Sequence, residues 1–254
     1  MGTLPLKLTM TPLLILLASL AIRRWGEIVG GWFVGLPLTS APICFFLALD
    51  QGVGFAAAAS LGSLAGAASE AGFGLAYSLV ARNFRWPAAL ALGSLGYAVC
   101  GFAFAAARLP LWPVAAVAVV SLAAALILMP RLGSSNIALP RPPRWEIPAR
   151  MIVATALVLG LTALAPLVGP QLSGLFATYP VFAAVLAAFS QHNRGAPAAV
   201  QVLRGLLVGL FAFIGFFSVL ASSLVRLGVA PAFAAATIVA LVIQGCSLLI
   251  MRRR

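Results

Sequence analysis

A chain of 254 residues that is 63% hydrophobic, only 8% charged and has a mean hydropathy of +1.12 carries too little polar surface to cover a water-soluble fold of its size. Its net charge of +12 does not point to nucleic acid: fourteen of the sixteen basic residues flank apolar runs, with no stripe of charge interleaved with stacking aromatics. One histidine and four scattered carboxylates supply no ligand cluster for a metal or haem, and GxSxG, HExxH and phosphate-loop motifs are missing, so neither an enzyme nor a cofactor is expected.

A membrane-spanning helix needs about 20 mostly apolar residues. Dividing the chain at its arginines and Pro/Gly clusters yields nine such runs, at about 8–22, 28–49, 54–81, 87–107, 111–129, 149–168, 171–190, 197–225 and 230–251. The first resembles a secretory signal, but Arg23 and Arg24 directly behind it act as an anchor for a retained helix. The second contains the cluster Gly35-Leu36-Pro37-Leu38-Thr39-Ser40-Ala41-Pro42 and ends at Asp50-Gln51-Gly52. Glu70 lies inside the third, among Gly62, Gly66 and Gly72; the fourth opens at Pro87. Between the fifth and sixth, Pro130 to Arg150 holds five prolines and four arginines and reads as a loop, since unpaired backbone is costly in hydrocarbon. The seventh contains Gly174-Leu175-Phe176-Ala177-Thr178-Tyr179-Pro180 and ends in Gln191-His192-Asn193-Arg194-Gly195, with His192 read as a loop residue. Arg204 lies inside the eighth, with Gly205, Gly209 and Gly215, and Pro231 opens the ninth. Cys44, Cys100 and Cys246 sit in apolar runs and read as buried thiols.

With nine crossings and Arg252, Arg253 and Arg254 cytoplasmic, twelve basic residues fall on the inner side and three, Lys7, Arg108 and Arg226, on the other. That split follows the positive-inside bias and predicts a plasma (bacterial inner) membrane protein with its N-terminus out and its C-terminus cytoplasmic.

The second half echoes the first. The two proline clusters correspond with one residue deleted, and Gly62, Gly66 and Gly72 fall 143 residues before Gly205, Gly209 and Gly215. The predicted fold is therefore an all-α polytopic bundle of about nine spans. Residues 1–129 hold the first four-helix repeat and a connecting fifth helix, 130–148 a cytoplasmic loop, and 149–254 the second repeat. An offset of five crossings is odd, so the repeats face opposite ways, the usual scaffold of secondary transporters with a midplane site. The paired, proline-interrupted spans GLPLTSAP and GLFATYP resemble those of sodium/proton antiporters and bile-acid-type sodium symporters over helices 2–4 and 7–9. The resemblance implies broken helices whose free backbone groups meet a solute or ion; those families carry acidic ion-binding residues at the crossover, and neither cluster here contains one.

Glu70 lies roughly 16 Å from the cytoplasmic end of its span and Arg204 roughly 11 Å from the same side, at 1.5 Å per residue. Charges at such depth cost about 2.5–3.5 kcal/mol each on insertion scales, so they need a partner or a watery cavity. A Glu70–Arg204 pair is one solution. Functionally, Arg204 would hold an anionic solute while Glu70 changes its protonation; structurally, the pair would fix the third helix to the eighth. Thr39, Ser40, Pro42, Thr178, Tyr179 and Pro180, in the interrupted segments, complete the candidate binding and coupling residues. The GxxxG spacings at Gly62–Gly66 and Gly205–Gly209 predict close helix packing. The expected function is secondary transport of a small solute, such as an organic anion, driven by a proton or sodium gradient. A lipid flippase or scramblase, a channel and a non-transporting membrane partner are the alternatives.

Overall fold

The computed structural model describes residues 4–107, 109–130, 145–164 and 178–252, and among them every regular element is helix. In chain order these are α1 (Leu4–Trp25), α2 (Glu27–Val34), α3 (Ser40–Asp50), α4 (Val53–Val80), α5 (Trp86–Ala107) and α6 (Leu111–Leu128), followed by α7 (Glu146–Leu164), α8 (Val181–Arg194), α9 (Ala196–Leu227) and α10 (Val229–Arg252). Most of the expected loop, 131–144, and residues 174–177 of the second proline cluster lie outside the described residues.

Proline sets many of the helix starts. Pro42, Pro87, Pro113, Pro148, Pro197 and Pro231 each occupy the second or third position of their helix. There the missing N–H has no intrahelical partner to lose, and the fixed φ already suits a helix. Pro42 therefore does not kink a continuous span; it begins a new helix. Two long helices follow their short predecessors almost without a loop, because Gly52 and Gly195 take φ of 91° and 84°, a region open to glycine and strained for other residues. These two glycines also lie 143 residues apart.

At the centre, α4 packs against α9. Gln191, in the last turn of α8, bonds to Ala81 just past the end of α4, whereas Gly74, earlier on α4, faces Leu207, well into α9. The two central helices therefore run in opposite directions. On the flanks α5 packs on α4 and α10 on α9, while α6 leans on both central helices. Helices α1, α2 and α7 form a second group, joined to the first through α2 on α9 and α7 on α8.

The contacts repeat as well as the order. A Cβ on Gly72 would meet Gly96 and Cys100 of α5, and one on Gly215 would meet Val239 and Ile243 of α10. Each residue of the second set lies 143 places after its counterpart in the first.

Four helices, α5, α6, α9 and α10 up to Leu249, are long and apolar enough to cross a membrane. Their outer faces leave Leu95, Val99, Val120, Ile127, Ile238 and Leu241 exposed, Ile127 by 80%. Exposing such side chains to water forfeits about 25 cal/mol per Å² of apolar surface, so lipid is their natural surrounding. Trp25, Trp86, Trp112 and Trp145 are also exposed and stand at or beside helix ends, where indoles favour the membrane interface. The chain is a helical membrane protein.

Candidate functional site

The span expected at 28–49 is interrupted as its glycines and prolines suggested: α2 stops at Val34, five residues are non-helical, and α3 starts at Ser40. In the other half, Thr178 to Pro180 are also non-helical, and Pro180 sits directly before the first residue of α8. Both short helices begin at the wall of one cavity of about 500 Å³, a volume suited to a small-molecule ligand. Thr39, Ser40, Pro42, Glu70, Thr178, Tyr179 and Pro180 all line it. Seven of the eight candidate residues, drawn from three segments far apart in sequence, thus meet at one place.

Arg204 is the exception. Its guanidinium donates to the carbonyl oxygens of Met129 at 2.6 Å and Pro130 at 3.4 Å, capping the C-terminal end of α6, where partial negative charge gathers. It does not line the cavity, and no ion pair joins it to Glu70 among the described residues. The sequence placed both charges at compatible depths, but the rotation of α9 turns Arg204 toward α6 instead. Glu70 is half-buried, without a hydrogen bond or salt bridge to a described residue, and among the described residues it is the one charged member of the lining.

Side chains of α5, with Phe73 of α4, hold Thr178 and Tyr179 in place. The Tyr97 and Thr178 hydroxyls lie 2.5 Å apart, and those of Ser94 and Tyr179 2.7 Å apart. Because Ser94 already donates to the Leu90 carbonyl at 2.8 Å, the Tyr179 hydroxyl is the donor of its pair. The Tyr179 ring also packs edge-on against Phe73 and Tyr97. Opposite Thr178, Gly66 leaves the space a side chain would fill, its Cβ position being 3.1 Å from that of Thr178. Glu70 lies one helical turn beyond Gly66, on the same face of α4. Ser94 and Tyr97 were not among the sequence candidates. Two hydroxyls three positions apart, on one face of an otherwise apolar helix, were the available signal.

The other carboxylates are engaged or exposed. Glu27 of α2 accepts from Arg194 in the last turn of α8, so a charged pair ties the start of α2 to the end of α8. His192 belongs to that same helical turn and not to a loop. Glu146 pairs with Arg150 at 2.5 Å and faces Arg23 of α1 at 3.8 Å. Both members of that helical pair are 1% exposed, although the sequence placed them in or at the end of the connecting loop. Asp50 is exposed at the end of α3.

Near the Glu27–Arg194 pair, Gln191 accepts from the Tyr77 hydroxyl at 2.7 Å and donates to the carbonyls of Ala81 and Phe84 at 2.9 and 2.8 Å. One buried amide thereby finishes the end of α4. Gln191→Leu strands these partners, so it is expected to destabilise the fold by about 1–3 kcal/mol, measurable as a lowered melting temperature in detergent.

Among the described residues no group of three or more His, Cys, Asp or Glu is arranged to hold a metal ion. No family model, curated protein or solved structure matches the chain.

Proposed function

We propose that the protein is a secondary transporter that carries a small solute through the cavity between its two interrupted spans. The observation that carries this reading is the meeting of both proline segments with Glu70, a carboxyl to which no described residue supplies a counter-charge. A carboxyl so deep in an apolar protein is expensive unless it serves an ion or solute that comes and goes.

The duplicated architecture supports the same reading. In it α2 with α3 form one broken span of nine crossings, and Thr178–Pro180 with α8 belong to its counterpart in an inverted repeat. The opposed α4 and α9, the matching glycine crossings and the paired left-handed turns at Gly52 and Gly195 agree with that arrangement. In the proposed orientation, with the C-terminus cytoplasmic, Glu27, Arg194, Glu146 and Gln191 all lie near the inner face. The cavity reaches the other way, past Leu47, Ala59 and Phe213. The state seen is then outward-facing, with its inner side latched by polar contacts between the halves, and rocking of the halves would exchange access.

Protein reconstituted in liposomes is expected to show saturable solute uptake that follows an imposed pH gradient and is diminished in Glu70→Gln. Lipid scrambling between leaflets, in place of solute flux, would favour the flippase reading. Flux unchanged in a well-folded Glu70→Gln would remove Glu70 from the mechanism.

A further inference from the structure

We infer that the solute carries a protonated amine on an apolar body, and that this ammonium group and a proton compete for the carboxylate of Glu70. The inference rests on the transport reading and specifies its substrate class.

Among the described residues that line the cavity none is basic, and Arg204 is committed to the end of α6. The charge available to recognise a ligand is therefore negative. Around it the walls are mostly apolar and aromatic, with Leu36, Leu47, Val158, Leu161, Phe182 and Phe213 among them. Such walls suit the body of an organic molecule, and the faces of Phe182, Phe213 and Tyr179 suit a positive head group. A bare metal cation fits poorly, because hard ions want a shell of six or more oxygens and apolar walls offer few. An anion fits poorly too. The starts of α3 and α8 each contribute about half a positive charge, but Glu70 already stands in the cavity to take up that potential, and a free anion would have to compete with it.

The other titratable groups around Glu70 are weak competitors for the role. Tyr97 and Cys100 come from α5, Cys44 from α3, Tyr179 from the segment before α8 and Tyr77 from α4 itself. Cys44 donates to Ala56 and contacts Ser60, while Tyr77 and Tyr179 donate to Gln191 and Ser94. On α9 the charges are Arg204, turned toward α6, and Arg226, in the last turn, and the described part of α6 has no titratable residue. At the carboxylate the exchange is one for one: the ammonium can enter when the Glu70 O–H bond breaks and its proton leaves to water, and a returning proton displaces the ammonium. A pH gradient then drives amine movement without net charge transfer.

The test uses two probes with the same phenyl-ethyl body and opposite charge, phenethylamine and 3-phenylpropionate, with the full-length protein in detergent. Binding is read by calorimetry and by thermal stabilisation. The amine is expected to bind and the carboxylate not. In the range where Glu70 titrates, the apparent amine affinity should fall about tenfold per unit of acidification, with up to one proton released per amine bound. Glu70→Gln should abolish this binding while keeping the unliganded melting temperature within a few degrees, and Glu70→Asp should retain it. Equal binding of both probes, preference for 3-phenylpropionate, or undiminished binding in Glu70→Gln would overturn the inference. Amine binding without any flux in liposomes would count against the transport reading and leave this assignment standing. Saturable flux of a solute without an amine, insensitive to Glu70→Gln, would do the reverse.

Discussion

Replacing Glu146 with alanine is expected to destabilise the fold by about 3–5 kcal/mol, the usual consequence of removing one member of a buried ion pair. Arg150 is 1% exposed, stacks over the Phe189 ring at 5.6 Å and finds its carboxylate only one turn back on its own helix. Without that carboxylate the guanidinium stays buried with Arg23 and Arg194 as its charged neighbours. The loss should appear as a strongly lowered melting temperature in detergent. The double variant Glu146→Leu, Arg150→Met separates the two explanations on offer. If the buried charge is the cause, the double variant recovers most of the stability, because a well-packed apolar pair of similar volume is often as stable as an ionic one. If it melts as low as the single variant, the side chains matter through shape and not charge.

That site also marks where reading the sequence fell short. Counting arginines treats each as a surface marker of the inner face, and for Arg150 the side chain is instead withdrawn into the junction of α7 and α8. Burial of this kind depends on which face of α7 meets its neighbours, and helices that are apolar all round carry almost no periodicity to say so. Glu70 and Arg204 failed to pair for the same reason: depth follows from counting residues, whereas azimuth depends on packing. What was legible rests on residues that act locally. The interruption at 35–39 and the starts of α5, α9 and α10 follow from proline and glycine, whose backbone constraints operate regardless of the partner helix. Described residues of both proline clusters line the cavity, and Pro42 acts by starting α3 and not by bending a longer helix.

The glycine motifs test how far such local reading extends. Gly62-x-x-x-Gly66 and Gly205-x-x-x-Gly209 have the same spacing, yet only the second is a crossing point between helices. A methyl group on Gly205 or Gly209 would run into the backbone of α2 at Ile28 or Trp32, where Gly31 and Gly35 provide a matching flat surface. Around Gly62 no described atom lies within 4 Å of the position a Cβ would take, and Gly66 faces the Thr178 side chain. Gly205→Ala is therefore expected to cost about 1–3 kcal/mol by overpacking, and the double variant with Gly209→Ala more than either alone, because α2 has to lift off α9 along two turns. Gly62→Ala adds the same methyl group in open space, and it should raise stability by roughly 0.5–1 kcal/mol through helix propensity. Thermal unfolding of the three variants in one detergent measures the contrast, and equal effects at Gly62 and Gly205 would mean that α2 is not seated on α9 as described. Lifting α2 also strains the Glu27–Arg194 pair at its N-terminal end. Under the proposed transport cycle, in which the inner latch closes while the cavity faces outward, the Gly205 variants should therefore lose flux before they lose their fold.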